Sequence, residues 1–343
     1  MAKRSFYINE SEFDNYQVKV VQRRVDNSFI VKGCAGSGKS ILALWKVKQI
    51  QEENKGSFYF IIFTKTLRKY MEDGIVEIGL NGDRILHFEQ WKRQGYPDAD
   101  YLVVDEVQDF DESEINILKE KANKALISYG DSAQQLYAFK NDNPLSMEDI
   151  AYITKYPMET LVFNHRLPKK IARFATYLEN TGDELEIRCQ VEGVELPKVL
   201  KYNNLNEQLD GIMDIIKTRG YDDVGIFLQT NRDVEEAYNY FNSKGFQTEV
   251  KFNNSMDLDF SNTLPKLITY HSSKGLQFEA VFLPDCEDKF PNNKQDNMNA
   301  LYVAITRTYQ DLFIMYSDNL VPFLNNITEN LYETSLTTED IDW

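Results

Sequence analysis

Cysteine and histidine are both scarce in this chain, with three of each among 343 residues. Cys34, Cys189 and Cys286 lie far apart and form no Cys-x-x-Cys or Cys/His pair. That spacing disfavours a disulfide scaffold and a structural zinc site, and makes a reducing, cytoplasmic compartment the simplest home. Long apolar runs are missing too. The longest, around Phe58 to Phe63, is far too short to span a bilayer, and the first ten residues, MAKRSFYINE, lack the apolar core of a secretory leader, so no membrane partner is expected. Positive charge is the third shortage: 38 Lys and Arg face 54 Asp and Glu, for a net charge of −16. A body this acidic does not coat nucleic acid indiscriminately. The imbalance is uneven, however: the first fifty residues carry nine basic against four acidic side chains, and the last eighteen carry five acids and no base. A local basic groove therefore remains compatible with the whole.

Apolar residues make up 42% of the chain, enough to give each of two domains its own core at this length. Short β-rich apolar runs at 29–32, 58–63, 101–105 and 125–129 alternate with helical patterns such as 41–51 and 112–122. Such alternation marks a parallel sheet with helices on both faces. The pattern restarts after 141–157 with a helix near 168–178 and strands near 224–228, 248–251, 267–270, 280–283 and 312–316. The expected fold class is α/β, with tandem domains over 1–160 and 161–325 and a polar, acidic tail over 326–343.

Gly33-Cys-Ala-Gly-Ser-Gly-Lys-Ser40 fits G-x-x-x-x-G-K-[ST] between an expected strand and an expected helix. Phosphate binding needs a loop whose N–H groups can wrap an anion, which explains Gly33, Gly36 and Gly38 beside Ser37. Lys39 supplies charge for the β- and γ-phosphates, and the Ser40 hydroxyl a ligand for Mg²⁺. The apolar run Tyr101-Leu-Val-Val ends in Asp105-Glu106, a second metal ligand followed by a carboxylate able to polarise water. ATP and Mg²⁺ are the expected substrate and cofactor.

In this order the motifs resemble the UvrD/Rep/PcrA-like superfamily 1 DNA helicases, which are built on two RecA-like P-loop domains with ATP in the cleft between them. Asp105-Glu-Val-Gln-Asp109 looks like the family's DExQD box, and Gln17 stands where the family places an adenine-reading glutamine. Phe63-Thr64-Lys65 and Leu86-His87-Phe88 are similar to its segments that contact single-stranded DNA. Gly130-Asp-Ser-Ala-Gln134-Gln-Leu-Tyr137 looks like GDxxQxIY, which implies a γ-phosphate sensor at Gln134 and a base-stacking aromatic at Phe139. Asn164-His165-Arg166 resembles NYR and Tyr302-Val-Ala-Ile-Thr-Arg307 resembles YVxxTR, implying arginine fingers at Arg166 and Arg307. Thr269-Tyr-His271-Ser-Ser-Lys-Gly-Leu-Gln277-Phe resembles TxHxxKGLEF, with Thr269 and His271 on the nucleic-acid backbone and Gln277 near the ribose. The resemblance implies 3′-to-5′ stepping on single-stranded DNA driven by ATP.

Several positions depart from the family. Gln277 replaces a glutamate, His165 a tyrosine, and Ile41 stands where relatives often stack an arginine on adenine; residues 295–300 also differ. Base selectivity is expected to be weak. The intervals from Thr64 to Asp105 and from Arg166 to Thr269, where relatives insert accessory domains, are taken up by expected core elements, and an independent domain needs at least about 50 residues. A bare two-domain motor is therefore expected. The alternative is a nucleotide-gated switch subunit of a repair, phage or anti-phage complex, in which a protein partner supplies DNA grip or a nuclease. RNA as the track stays open, because stacking and phosphate contacts do not by themselves read the sugar.

Overall fold

The computed structural model describes residues 12–132, 145–178, 185–253, 256–288 and 294–336. They fall into two compact units, the first ending at His165 and the second beginning at Arg166.

The first unit runs α1 (Asn15–Gln22), β1 (Phe29–Gly33), α2 (Lys39–Glu52), β2 (Phe58–Ile62), α3 (Lys65–Tyr70), α4 (Glu72–Glu77), β3 (Ile85–His87), α5 (Phe88–Arg93), β4 (Ala99–Val104), α6 (Glu112–Lys121), β5 (Ala122–Gly130), α7 (Met147–Thr154) and β6 (Met158–Leu161). Its strands pair in parallel in the order β3-β2-β4-β5-β1-β6. Alternate side chains of each central strand enter different cores: Phe29, Val31, Phe60 and Val103 pack with Leu42 and Val47 of α2, while Ile30, Ile61 and Leu102 pack with Trp91, Leu118 and Ile150. Both faces are dry, so these strands read as unbroken apolar runs. The short strands β3 and β6 escape the sequence pattern because they lie at the two edges, where one side of the backbone needs no partner strand and polar residues such as Glu159 and Thr160 are tolerated. Strand β5 also begins earlier than the expected 125–129, because the parallel ladder with β4 starts at Ala99↔Ala122 and ends α6 at Lys121.

β7 (Asn164–Pro168) carries the chain into the second unit and pairs with β8 (Cys189–Val191) after α8 (Lys169–Ala175) and α9 (Leu185–Arg188). There follow β9 (Lys198–Lys201), α10 (Leu205–Arg219), β10 (Val224–Leu228), α11 (Asn231–Ser243), β11 (Glu249–Val250), β12 (Lys266–Thr269), β13 (Phe278–Leu283), α12 (Lys294–Ile305) and β14 (Thr308–Tyr316). The second sheet is also parallel, in the order β11-β12-β10-β13-β14-β9. Helix α11 shows why the elements form where they do. Thr230 and Asp233 make a capping box, and Val234, Ala237 and Phe241 recur on one face to reach the core. The acidic tail is docked as far as it is described: Glu333 pairs with Lys198 through its side chain and with Pro197 and Val199 through its backbone, covering the β9 edge. No helix among the described residues is long and apolar enough to cross a membrane.

Phe282 and Phe313 face each other in the ladder of β13 and β14 and stack at 4.6 Å with their planes 8° apart, both fully buried. Phe282→Ala is expected to destabilise the second unit by about 3–5 kcal/mol through lost burial and the cavity left behind. A urea unfolding curve followed by a probe in that unit checks the figure.

Candidate nucleotide-binding site

The carboxyl ends of the first sheet collect the candidate residues. The loop after β1 is the glycine-rich segment, Asp105 and Glu106 follow β4, Asp131 follows β5, Phe63 and Thr64 follow β2, and His87 ends β3. Given the strand order, the nucleotide candidates occupy β4-β5-β1 and the nucleic-acid candidates the neighbouring β2 and β3. Ligands of open parallel sheets bind at this edge.

Gly36 has φ +73° and Gly38, the N-cap of α2, has φ +87°, a region that other residues enter only at a cost. The reason for glycine is sharper than room for phosphate alone. A Cβ on Gly33 would strike Ser37 Oγ, one on Gly36 would strike Asn164 Oδ1, and one on Gly38 would crowd Gln17 Nε2. Lys39 Nζ donates to the carbonyls of Gly33 at 2.9 Å and Cys34 at 3.1 Å and lies 3.9 Å from Asp131 Oδ2. Ser37 Oγ is buried in the loop with no hydrogen-bond partner in the structure, a polar atom suited to an anion's oxygen.

Ser40 Oγ donates to Asp105 Oδ2 at 2.5 Å. Asp105 is fully buried, and burial, reinforced by the neighbouring Glu106 charge, pushes its carboxyl up to about 7; Ser40 and Lys39 pull the other way. Glu106 is itself buried in a left-handed conformation, φ 57°, and accepts a hydrogen bond from Gln108 Nε2. Gln108 Oε1 accepts from the Asp131 N–H at 3.0 Å, tying the ends of β4 and β5 together. Ser40 Oγ and Asp105 Oδ2 are hard oxygen ligands, and the buried Glu106 carboxylate stands next to them in the chain. The set fits Mg²⁺, with Ser40 and Asp105 as the residues that would hold it.

Gln17 lies beside this loop, but both ends of its carboxamide are engaged. Its Nε2 donates to the Ser37 carbonyl at 3.1 Å and its Oε1 accepts from the Asp14 N–H at 3.0 Å. Asp14 and Gln17 form the capping box of α1, a partnership readable in the Asp-x-x-Gln spacing that sequence reasoning passes over. Asp14 and Asp131 are the residues at this site that the sequence reading missed.

The nucleic-acid candidates have structural duties of their own. Thr64 caps α3 by accepting from the Leu67 N–H, and His87 caps α5 by accepting from the Gln90 N–H on Nδ1. Phe63 packs edge-on against Phe110 at 5.3 Å. The His87 pKa is lowered by burial first, then by the charges of Arg68, Arg93 and Lys65, with Glu89 opposing. Gln134 and Phe139 lie outside the described residues.

In the second unit the candidates separate to opposite ends of the sheet. Thr269 and His271 follow the carboxyl end of β12, where Thr269 Oγ1 accepts from the Ser272 N–H. Gln277 and Arg307 precede β13 and β14 at the amino end, next to each other through the Phe278 N–H on the Arg307 carbonyl at 3.0 Å. Arg166 joins them: its Nη2 donates to the Thr306 carbonyl at 3.0 Å, while Arg307 Nη2 donates to the Thr306 hydroxyl at 2.9 Å. Both arginines are buried, so one threonine gathers two guanidinium groups that are distant in sequence.

Parallel sheets and a glycine-rich loop closed by Lys39 and Ser40 define a P-loop protein of the RecA-like class. Residues 29–239 match the viral superfamily 1 RNA helicase core domain, and residues 251–319 match the UvrD-like helicase C-terminal domain. The chain belongs to the superfamily 1 helicases. It is 24% identical over 260 residues to a protein of Acanthamoeba polyphaga mimivirus that carries the name ATP-dependent DNA helicase, covering 66% of this chain and 36% of that protein. It is 30% identical over 106 residues to a DNA helicase II homolog of Mycoplasma pneumoniae, covering 25% of this chain and 15% of that one. The chain thus spans roughly a third or less of these relatives. Among solved structures, the arterivirus nonstructural protein 10 helicase is similar over 88% of this chain and 61% of its own, at 14% identity and a TM-score of 0.47.

The raised Asp105 pKa has a consequence for stability. A carboxyl that prefers its proton when folded stabilises the fold fully below its unfolded value, near 4, and that contribution is lost as pH rises through about 7. In metal-free buffer Asp105→Asn is therefore expected to melt above wild type at pH 8, with the gap closing as the pH falls toward 5. Thermal unfolding in chelator across that range checks it, and an equal gap at both ends would refute the assignment.

Proposed function

We propose that the chain is an ATP-hydrolysing helicase motor that tracks single-stranded DNA in the 3′-to-5′ direction. The observation that carries this reading is the assembly of Lys39, Ser40, Asp105, Glu106 and Asp131 at the carboxyl ends of three adjacent strands. Lys39 and the loop amides bind the phosphate chain, with Gln17 on the base side. Ser40 and Asp105 would hold Mg²⁺, which supplies positive charge to the phosphate oxygens when bound. Glu106, kept in place by Gln108, accepts the proton of the attacking water as the bond from the γ-phosphorus to the leaving oxygen of ADP breaks. Arg166 and Arg307, gathered by Thr306, act as arginine fingers on the developing phosphate charge, and Gln134 as the γ-phosphate sensor. Phe63, Thr64, His87, Phe139, Thr269 and His271 contact the strand. The separation of Gln277 and Arg307 from Thr269 and His271 across the second sheet supports a nucleotide end and a track end in that unit.

A second reading rests on the net charge of −16. In it the same ATPase works as a switch within a larger assembly, with a basic protein partner improving the grip on nucleic acid.

ATP turnover is expected to rise strongly with single-stranded DNA and less with duplex DNA or RNA, measured side by side. Lys39→Ala and Glu106→Gln should each lower turnover by about 10²–10⁴-fold, with Glu106→Gln still binding ATP. Normal hydrolysis by Glu106→Gln would remove the assigned base, and a rate indifferent to every nucleic acid would favour the switch. Streptavidin displacement from the 5′ but not the 3′ end of a biotinylated strand checks the direction.

A further inference from the structure

Two carbonyls of the phosphate loop are held by groups from outside it. His165 donates its backbone N–H to the Gly36 carbonyl at 3.1 Å, and Gln17 Nε2 donates to the next carbonyl, that of Ser37. In a planar trans peptide the N–H points opposite to the C=O. Fixing these two carbonyls therefore fixes the direction of the Ser37 N–H, which donates to the Cys34 carbonyl at 3.2 Å, and of the Gly38 N–H. The two donors are themselves linked. His165 Nε2 donates to Asp14 Oδ2 at 2.6 Å, and Asp14 also caps the helix that carries Gln17, through the Tyr16 and Gln17 N–H groups at 2.6 and 2.8 Å. Asn164, the preceding residue, packs its Oδ1 on Gly36 where a side chain would otherwise sit.

We propose that Asp14 and His165 form a brace that holds the phosphate loop in its anion-receiving shape, with His165 a positioning residue in place of a base-stacking ring. The proposal rests on the nucleotide reading of this site. Both ends of the brace are anchored: Glu159 of β6 pairs with Lys19 of α1 at 2.6 Å and with Arg23 at its C-cap, while Phe163 packs edge-on against Tyr16 at 5.6 Å. The imidazole is committed through Nε2 to a partly buried carboxylate, and this fixes the ring by a charge-assisted bond. The substitution of histidine for the family's tyrosine thus exchanges a flat stacking surface for a polar tie. Because Arg166 follows directly, the tie also fixes the last residue before the chain enters the second unit.

Two substitutions separate the roles. His165→Phe keeps a ring and loses the donor; His165→Gln keeps a donor of similar reach and loses the ring. Amide hydrogen exchange at Ser37 and Gly38 in nucleotide-free protein, with second-unit amides as the control for folding, reads the brace without activity. Binding of ATP, GTP and inorganic tripolyphosphate reads its consequence. Exchange is expected to quicken, and all three ligands to weaken alike, by roughly tenfold in His165→Phe and in Asp14→Ala, the scale of one charge-assisted hydrogen bond. His165→Gln should stay near wild type. Unchanged exchange in both His165→Phe and Asp14→Ala overturns the brace, as does a selective loss of ATP over tripolyphosphate in His165→Gln, which would restore a stacking role. A wild type that binds none of the three ligands would instead overturn the nucleotide reading, and the exchange data would still decide the brace.

Discussion

Everything at the nucleotide end depends on which way a few peptide planes face. A loop that is to receive an anion must turn its carbonyls away, and each buried carbonyl so turned needs a donor. Lys39 supplies donors to Gly33 and Cys34, His165 to Gly36, Gln17 to Ser37, and the first turn of α2 to Gly38. The left-handed glycines, the N-terminal helix and the histidine at the end of the first unit answer this one requirement together.

The same edge of the sheet concentrates charge that is costly to bury. Asp105, Glu106, Asp109 and Asp131 are all withdrawn from water, and burial raises the pKa of Asp105 toward neutrality. Such an arrangement is poor for stability and useful for chemistry, because the proposed cation and phosphate chain would complete it. The left-handed backbone at Glu106 lies at the same edge: strain is stored at the residue proposed as the base. The rest of the first unit offsets that cost with two dry cores, one on each face of the sheet.

The second unit solves a different problem with the same sheet. Its carboxyl end carries Thr269 and His271, and its amino end carries Gln277 and Arg307, with Thr306 joining Arg307 to Arg166. A rigid parallel sheet separates these sets by its own strand length. Among the described residues, the intervals from Thr64 to Asp105 and from Arg166 to Thr269 are occupied by α3 to β4 and by β7 to β12.

Much of this was legible in order along the chain. Buried parallel strands must be apolar on both faces, so β1, β2, β4 and β10 announce themselves, and a phosphate loop needs its glycines and lysine at fixed spacing, so Gly33 to Ser40 can be read directly. Edge strands such as β3 and β6 could not be read, because partial exposure relaxes the pattern. Nor could the partners of the loop: that Gln17 spends its amide on Ser37 and Asp14, that Asp14 meets His165, and that one threonine gathers Arg166 and Arg307 are facts about residues brought together from far apart. Sequence by itself determined the fold class and the chemistry-bearing side chains, since both follow from local periodicity and residue type. Which of those side chains hold one another was decided only by the tertiary structure, because hydrogen-bond partnership depends on distances that chain order does not encode.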